Sequence, residues 1–139
     1  MQAFLEEAKR SSRTIANLST AVKNRVLNAM AEALMNHCDF IVTHNEKDMS
    51  EAKLNNLSAS LQDRLLLTGD RVKDMADAIR QIASQLEPVG RILDGWVTKD
   101  GLNIQKVSIP IGVIGIIYES RPNVKSDTAA RCFKSGNVC

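Results

Sequence analysis

Over the first two thirds of the chain apolar residues recur every three or four positions; beyond that they alternate or run together. Val22, Val26, Met30, Leu34, Cys38 and Ile41 form one stripe. That spacing predicts a single long amphipathic helix with Thr20 as its N-cap. Val72, Met75, Ala76, Ile79, Ile82, Ala83 and Leu86 make the cleanest stripe, opened by Thr68 and closed by Pro88 and Gly90. Ser60-Leu-Gln-Asp63 resembles a capping box and predicts a short helix carrying Leu61, Leu65 and Leu66. The stretch through Leu18 reads as helix of weaker periodicity.

After Glu87 the period changes from helix to strand. Trp96-Val-Thr-Lys99 and Leu102-Asn-Ile-Gln-Lys-Val107 flank Asp100-Gly101. Asp-Gly suits the two left-handed positions of a type I′ turn, so a β-hairpin is predicted. Leu102 and Ile104 alternate with Asn103 and Gln105, which implies one wet and one covered face. Ile111-Gly-Val-Ile-Gly-Ile-Ile-Tyr118 is apolar on both faces, as a strand inside a parallel sheet must be. Gly112 and Gly115 lie at and inside that strand, where they suit close packing of a neighbouring backbone better than a phosphate loop. A helix follows with Val124, Ala129, Cys132 and Phe133 inward and Gly136 at its C-cap. Asn137-Val-Cys139 then opens a second strand, the first step of a βαβ unit. A severed second strand predicts an N-terminal piece of a longer protein.

Composition narrows the function classes. The 139 residues are 44% hydrophobic and 24% charged with a net charge of +2, which describes a globular chain. Basic residues are scattered and aromatics do not interleave with them, so no nucleic-acid partner is expected. No basic, apolar leader opens the chain and no apolar run reaches the length of a membrane span, so no membrane partner is expected either. Cys38, Cys132 and Cys139 are an odd set without metal-ligand spacing, which fits a reducing compartment, and the cytoplasm is the expected location. No metal site is predicted.

The chemistry gathers in Glu119-Ser-Arg-Pro-Asn123. Ligands of open α/β sheets bind beyond the carboxyl ends of strands, where this loop would sit. Arg121 could hold a phosphate or carboxylate through its bidentate fork. The Asn123 amide could donate to an oxyanion beside a helix start. The same residues also admit a purely structural reading, in which Pro122 fixes the turn, Asn123 caps the helix and Arg121 pairs with Glu119. Cys38 and Cys132 occupy apolar helix stripes, where thiols act as small hydrophobes, and His44 beside Glu46 and Asp48 reads as a solvated helix end.

Ile109-Pro-Ile-Gly-Val-Ile-Gly-Ile-Ile-Tyr-Glu-Ser-Arg-Pro-Asn-Val124 and Lys134-Ser-Gly-Asn137 closely resemble the glutamate-5-semialdehyde dehydrogenase (γ-glutamyl phosphate reductase) family, a branch of the aldehyde dehydrogenase superfamily. Asp63-Arg-Leu-Leu-Leu-Thr68, Glu87-Pro-Val-Gly90 and, more loosely, Asn45-Glu-Lys-Asp48 extend the resemblance along the chain. It implies NADPH-dependent reduction of a small acyl phosphate, L-glutamate 5-phosphate, to L-glutamate 5-semialdehyde and phosphate, in proline biosynthesis. The family's reaction runs through a thioester on a cysteine that lies downstream of Cys139, so these residues alone are expected to be inactive. The resemblance further implies Asn123 as catalytic oxyanion donor, Ser120 and Arg121 at the substrate, and Tyr118 and Glu119 at the cofactor. The expected architecture is α/β and aldehyde-dehydrogenase-like: a helical part of the cofactor domain over 1–95, a hairpin oligomerisation arm over 96–108 joining a homo-oligomer, and the first βα unit of a Rossmann-like domain over 109–139. The alternatives are another aldehyde dehydrogenase, or a non-catalytic module that recruits a partner strand through its hairpin.

Overall fold

A computed structural model describes residues 2–119 and 121–139. Its helices are α1 (Gln2–Ala16), α2 (Thr20–Asn36), α3 (Cys38–Leu54), α4 (Ala59–Leu65), α5 (Gly69–Ser84) and α6 (Pro122–Lys134), with a hairpin of β1 (Ile92–Val97) and β2 (Asn103–Val107) between α5 and α6. The core lies where α2, α5 and α6 meet. Leu27, Ala31, Ala76, Ile79, Ile82, Ala83 and Ala130 are buried together, with Met30, Leu34 and Phe133 against them. Four alanines in that set keep the helix axes close. A second cluster, Leu67, Val72 and Met75, packs with Cys38, Ile41 and Val42.

The long helix expected from Val22 to Ile41 is two helices. The chain turns at His37 (φ −108°, ψ 17°), and α3 begins at once. The apolar period runs on through the break because both helices lean on α5, so periodicity alone could not reveal it. Ser19, not Thr20, caps α2, accepting from the Val22 N–H at 3.4 Å. Ser58 rather than Ser60 caps α4, whereas Thr68 caps α5 as expected, at 3.2 Å from the Arg71 nitrogen. Leu86 lies past the end of α5 and is exposed.

Buried polar side chains tie these helices together. Lys23 donates to Glu87 Oε1 at 2.8 Å. Lys134 donates to Asn24 Oδ1 at 2.6 Å and to the Ala83 carbonyl at 2.9 Å. Asn45 accepts from the Leu67 N–H at 2.7 Å and donates to the Leu65 carbonyl at 2.9 Å. Each satisfies a group that would otherwise be desolvated without a partner.

The hairpin is longer than its sequence signal and turns differently. β1 starts at Ile92 and pairs antiparallel with β2, Trp96 opposite Ile104 and Val97 opposite Asn103. Gly101 (φ 84°) is left-handed but Asp100 is not, so the turn is not type I′. It is a three-residue loop instead: the Thr98 N–H meets the Leu102 carbonyl at 2.9 Å, and the Gly101 N–H returns to the Thr98 carbonyl at 3.0 Å. Thr98 Oγ1 accepts from the Leu102 N–H at 3.1 Å, which favours this longer closure. Every residue of both strands is exposed, so the expected covered face has no cover among the described residues.

The segment from Ile111 to Tyr118 is not the buried strand expected. It makes one parallel bridge, Val113 with Val138. The Ile114 N–H donates to the Val138 carbonyl at 2.8 Å and the Val138 N–H to the Gly112 carbonyl at 2.9 Å. The parallel direction of the βαβ step therefore holds. Among the described residues only the Asn137–Val138 stretch runs beside this segment, and a strand apolar on both faces needs neighbours at both edges and cover on both sides. Gly112 and Gly115 face open space, so they do not serve close packing. The close approach is at Gly136 instead: its φ is 75°, and a Cβ there would lie 2.8 Å from Pro110 Cγ. Among the described residues no helix is long and apolar enough to cross a membrane.

Candidate functional site

The loop from Tyr118 to Asn123 joins the extended segment to α6, at the segment's carboxyl end. Arg121 is the N-cap residue of α6, with extended backbone (φ −138°, ψ 92°) and Pro122 at the first helical position. Proline fits there because its missing N–H would have had no partner. Among the described residues no side chain caps α6, so the capping role considered for Asn123 is not seen there, and its amide has no hydrogen-bond partner among them. Arg121 makes no ion pair with Glu119 among the described residues.

Two clefts flank the loop, and Arg121 and Pro122 line both. The first, of about 390 Å³, lies between α4, α5 and the start of α6, and Asn123 opens onto it. Its charged lining is mixed: Asp63 and Arg64 from α4, Arg71 and Asp74 from α5, Asp127 from α6, and Arg121. The Arg71 guanidinium meets Asp63 Oδ1 at 2.7 Å and the Leu66 carbonyl at 2.8 Å, and also reaches the Asp63 carbonyl. Arg71 thus closes the α4–α5 corner and is part of the wall. The second cleft, of about 460 Å³, is bounded by Phe40, His44 and Asp48 of α3, with Tyr118 and Lys125 across from them.

The structure accordingly brings Arg121 and Asn123 to one cleft and Tyr118 and Arg121 to the other. Glu119 lines neither, and Ser120 lies outside the described residues. His44 is not at a helix end but in the middle of α3, its ring 4.1 Å from that of Phe40 and its Nδ1 2.9 Å from the Phe40 carbonyl. Of the charged wall, Asp63 and Arg64 fall in the quoted Asp63–Thr68 signature, whereas Arg71, Asp74 and Asp127 carry no sequence signal beyond ordinary helical polarity. Arg71 and Asp63 sit eight positions apart across a turn, a spacing that no helical rule pairs.

Two of the three cysteines are packed into the helical core. Cys132 is buried, and burial, with the neighbouring Cys139 adding to it, pushes its thiol above the ordinary value. A raised thiol is poorly ionised at neutral pH and correspondingly inert. Cys38 is half-buried in the second core cluster. Among the described residues no group of His, Cys, Asp and Glu is arranged to hold a metal ion.

Several residues of the family signature turn out to be structural ties. Asn137 accepts from the Gly112 N–H at 2.8 Å and so fixes the parallel step. Lys134 is the buried link between α6, α2 and α5. Glu87 anchors the hairpin's base, where it also accepts from the Val89 N–H at 3.2 Å. Burial pushes the Glu87 carboxyl up, but hydrogen bonds from Lys23 and Val89 and the Lys23 charge outweigh it, leaving it below its ordinary value.

No protein-family model matches the chain. Over all 139 residues it is 76% identical to a γ-glutamyl phosphate reductase of Aliarcobacter butzleri, covering 34% of that protein. It is 62% identical over the same 139 residues to a γ-glutamyl phosphate reductase of a Sulfurovum species, again 34% of the relative. The crystal structure of a γ-glutamyl phosphate reductase from Thermotoga maritima superposes with a TM-score of 0.91 at 38% identity, covering 95% of this chain and 32% of that one. The Saccharomyces cerevisiae γ-glutamyl phosphate reductase structure gives 0.91 at 32% identity, with 95% and 34% covered. The chain therefore spans about a third of the length of the relatives it matches. The resemblance seen at Tyr118–Asn123 holds over all 139 residues in sequence and over 95% of the chain in fold.

Proposed function

We infer that this chain is a portion of a γ-glutamyl phosphate reductase, which reduces L-glutamate 5-phosphate to L-glutamate 5-semialdehyde, releases phosphate, uses NADPH and serves proline biosynthesis in the cytoplasm. The likeness over the chain's full length carries this reading. The loop's chemistry agrees with it. Asn123, free of any capping duty, donates its amide to the carbonyl oxygen as negative charge develops there. Arg121, with no carboxylate partner among the described residues, offers two parallel N–H donors to the acyl phosphate. Ser120 adds a hydroxyl at the same place in the signature.

Tyr118 and Glu119 are proposed to line the cofactor pocket. The half-exposed Tyr118 ring suits the flat heterocycle of such a cofactor. NADPH, when bound, supplies the hydride. Cys38 and Cys132 are packed into helices; as the family resemblance implies, the nucleophilic cysteine comes from outside these residues, and the 139-residue chain alone has no reductase activity. The hairpin, with Trp96, Val97 and Leu102 exposed, serves as the arm of a homo-oligomer.

The test is a hybrid enzyme in which this chain replaces the matching residues of the Aliarcobacter butzleri relative. Assayed in the oxidative direction, it is expected to reduce NADP+ with L-glutamate 5-semialdehyde only when phosphate is present. Turnover without phosphate would move the chain to another kind of aldehyde dehydrogenase. An intact, folded hybrid with no turnover would favour the non-catalytic strand-recruiting module.

A further inference from the structure

The first cleft carries an unusual charge balance for a phosphate-binding site. Three guanidinium groups face three carboxylates: Arg64, Arg71 and Arg121 against Asp63, Asp74 and Asp127. Arg71 and Asp63 satisfy one another at 2.7 Å. That leaves two cations and two anions, none of which forms a salt bridge among the described residues. The two remaining carboxylates come from different helices, Asp74 from α5 and Asp127 from α6, which pack together. Both line the same cleft, so a cation seated there would meet two carboxylates. Arg64 and Arg121 stand on the α4 and loop sides of the same cleft.

This arrangement discriminates among ligands. A nucleotide's phosphates would meet two uncompensated carboxylates, and a metal ion would meet two guanidinium groups. A dipolar molecule with one cationic and two anionic ends satisfies all four. The volume of about 390 Å³ is ample for a small amino acid derivative.

We propose that the cleft between α4, α5 and α6 seats the amino-acid end of the substrate, Asp74 and Asp127 receiving its α-ammonium and Arg64 its α-carboxylate, while Arg121 faces the phosphoryl end. The proposal rests on the reductase reading and adds what that reading lacks: the residues that require an α-amino group. Asp74 and Asp127 are then specificity residues rather than catalytic ones.

The hybrid enzyme tests this with two aldehydes, L-glutamate 5-semialdehyde and glutarate semialdehyde, which lacks the amino group. The unmodified hybrid is expected to prefer the aminated substrate in kcat/KM by about tenfold or more, the scale for a site built around a polar group its competitor lacks. Asp127→Asn, and separately Asp74→Asn, should lower kcat/KM for the aminated aldehyde by about tenfold and leave the other unchanged. Equal losses on both aldehydes, or none on either, would overturn the proposal. A hybrid that turns over neither aldehyde would count against the reductase reading alone, because binding still tests the cleft. Calorimetric titration with L-glutamate and with glutarate should show the amino acid bound more tightly, and the preference abolished in Asp127→Asn. Equal binding of the two ligands would sink the proposal whatever the activity.

Discussion

The helices and the strands of this chain draw on the same apolar residues and treat them oppositely. Leu27, Val72 and Ile79 are at most 1% exposed, whereas Ile92, Ile111 and Ile117 are 61%, 84% and 102% exposed. The difference lies in what each element needs from its neighbours. A helix closes its own hydrogen bonds and must bury only one stripe, so α2, α5 and α6 settle against one another. A strand must find partners for its edges and cover for its faces. The hairpin and the segment from Ile111 to Tyr118 obtain little of either within the described residues. The candidate site joins the two regimes. Its Arg121–Asn123 end is fixed by α6, which Lys134 locks to α2 and α5, and its Tyr118 end belongs to the segment that has only one bridge.

The contrast can be broken most directly by matched truncations. Leu27→Ala should cost about 3 kcal/mol, the cost of a cavity in a packed core. Ile117→Ala should cost less than about 0.5 kcal/mol, as for an exposed side chain. Chemical denaturation of each variant chain measures both, and comparable losses would show that the strand region is packed after all. A smaller effect is expected at the junction between the regimes. The Glu87 carboxyl, held below its ordinary value of 4.5, favours the folded state once ionised. Its contribution is therefore complete above about 4.5 and is lost as pH falls through the lower folded value. Lys23→Met should flatten that acid limb. An unchanged denaturation profile between pH 5 and pH 3 would mean that the Lys23–Glu87 pair adds no pH-dependent stability.

How far the sequence reveals the fold differs between the same two regions. The α5 stripe and its Thr68 cap are legible because period and cap chemistry both point to one helix. The break at His37 is not, since no glycine or proline marks it and both helices keep one apolar face toward α5. The hairpin is legible, but its turn type is not. Asp-Gly fits both a two-residue and a three-residue closure, and Thr98 decides between them through its side chain. The burial of Ile111–Tyr118 follows from composition only if the partners of a sheet are at hand.

For the site, the Arg121–Asn123 end is visible as a cluster of polar types after an apolar run, and its family signature is specific. Its walls are not visible. Asp74 and Asp127 look like any solvent-facing helical carboxylates until α5 and α6 are packed side by side. Signature residues also mislead in one respect. Lys134 and Asn137 belong to the recognisable pattern, yet they hold helices and backbone together instead of lining either cleft.

The most direct test of the loop's role is the steady-state kinetics of Asn123→Ala in the hybrid reductase. Loss of an oxyanion donor should lower kcat by about a hundredfold or more with little change in KM. An unchanged kcat would show that Asn123 does not touch the reacting carbonyl and that the loop's part in catalysis must be assigned elsewhere.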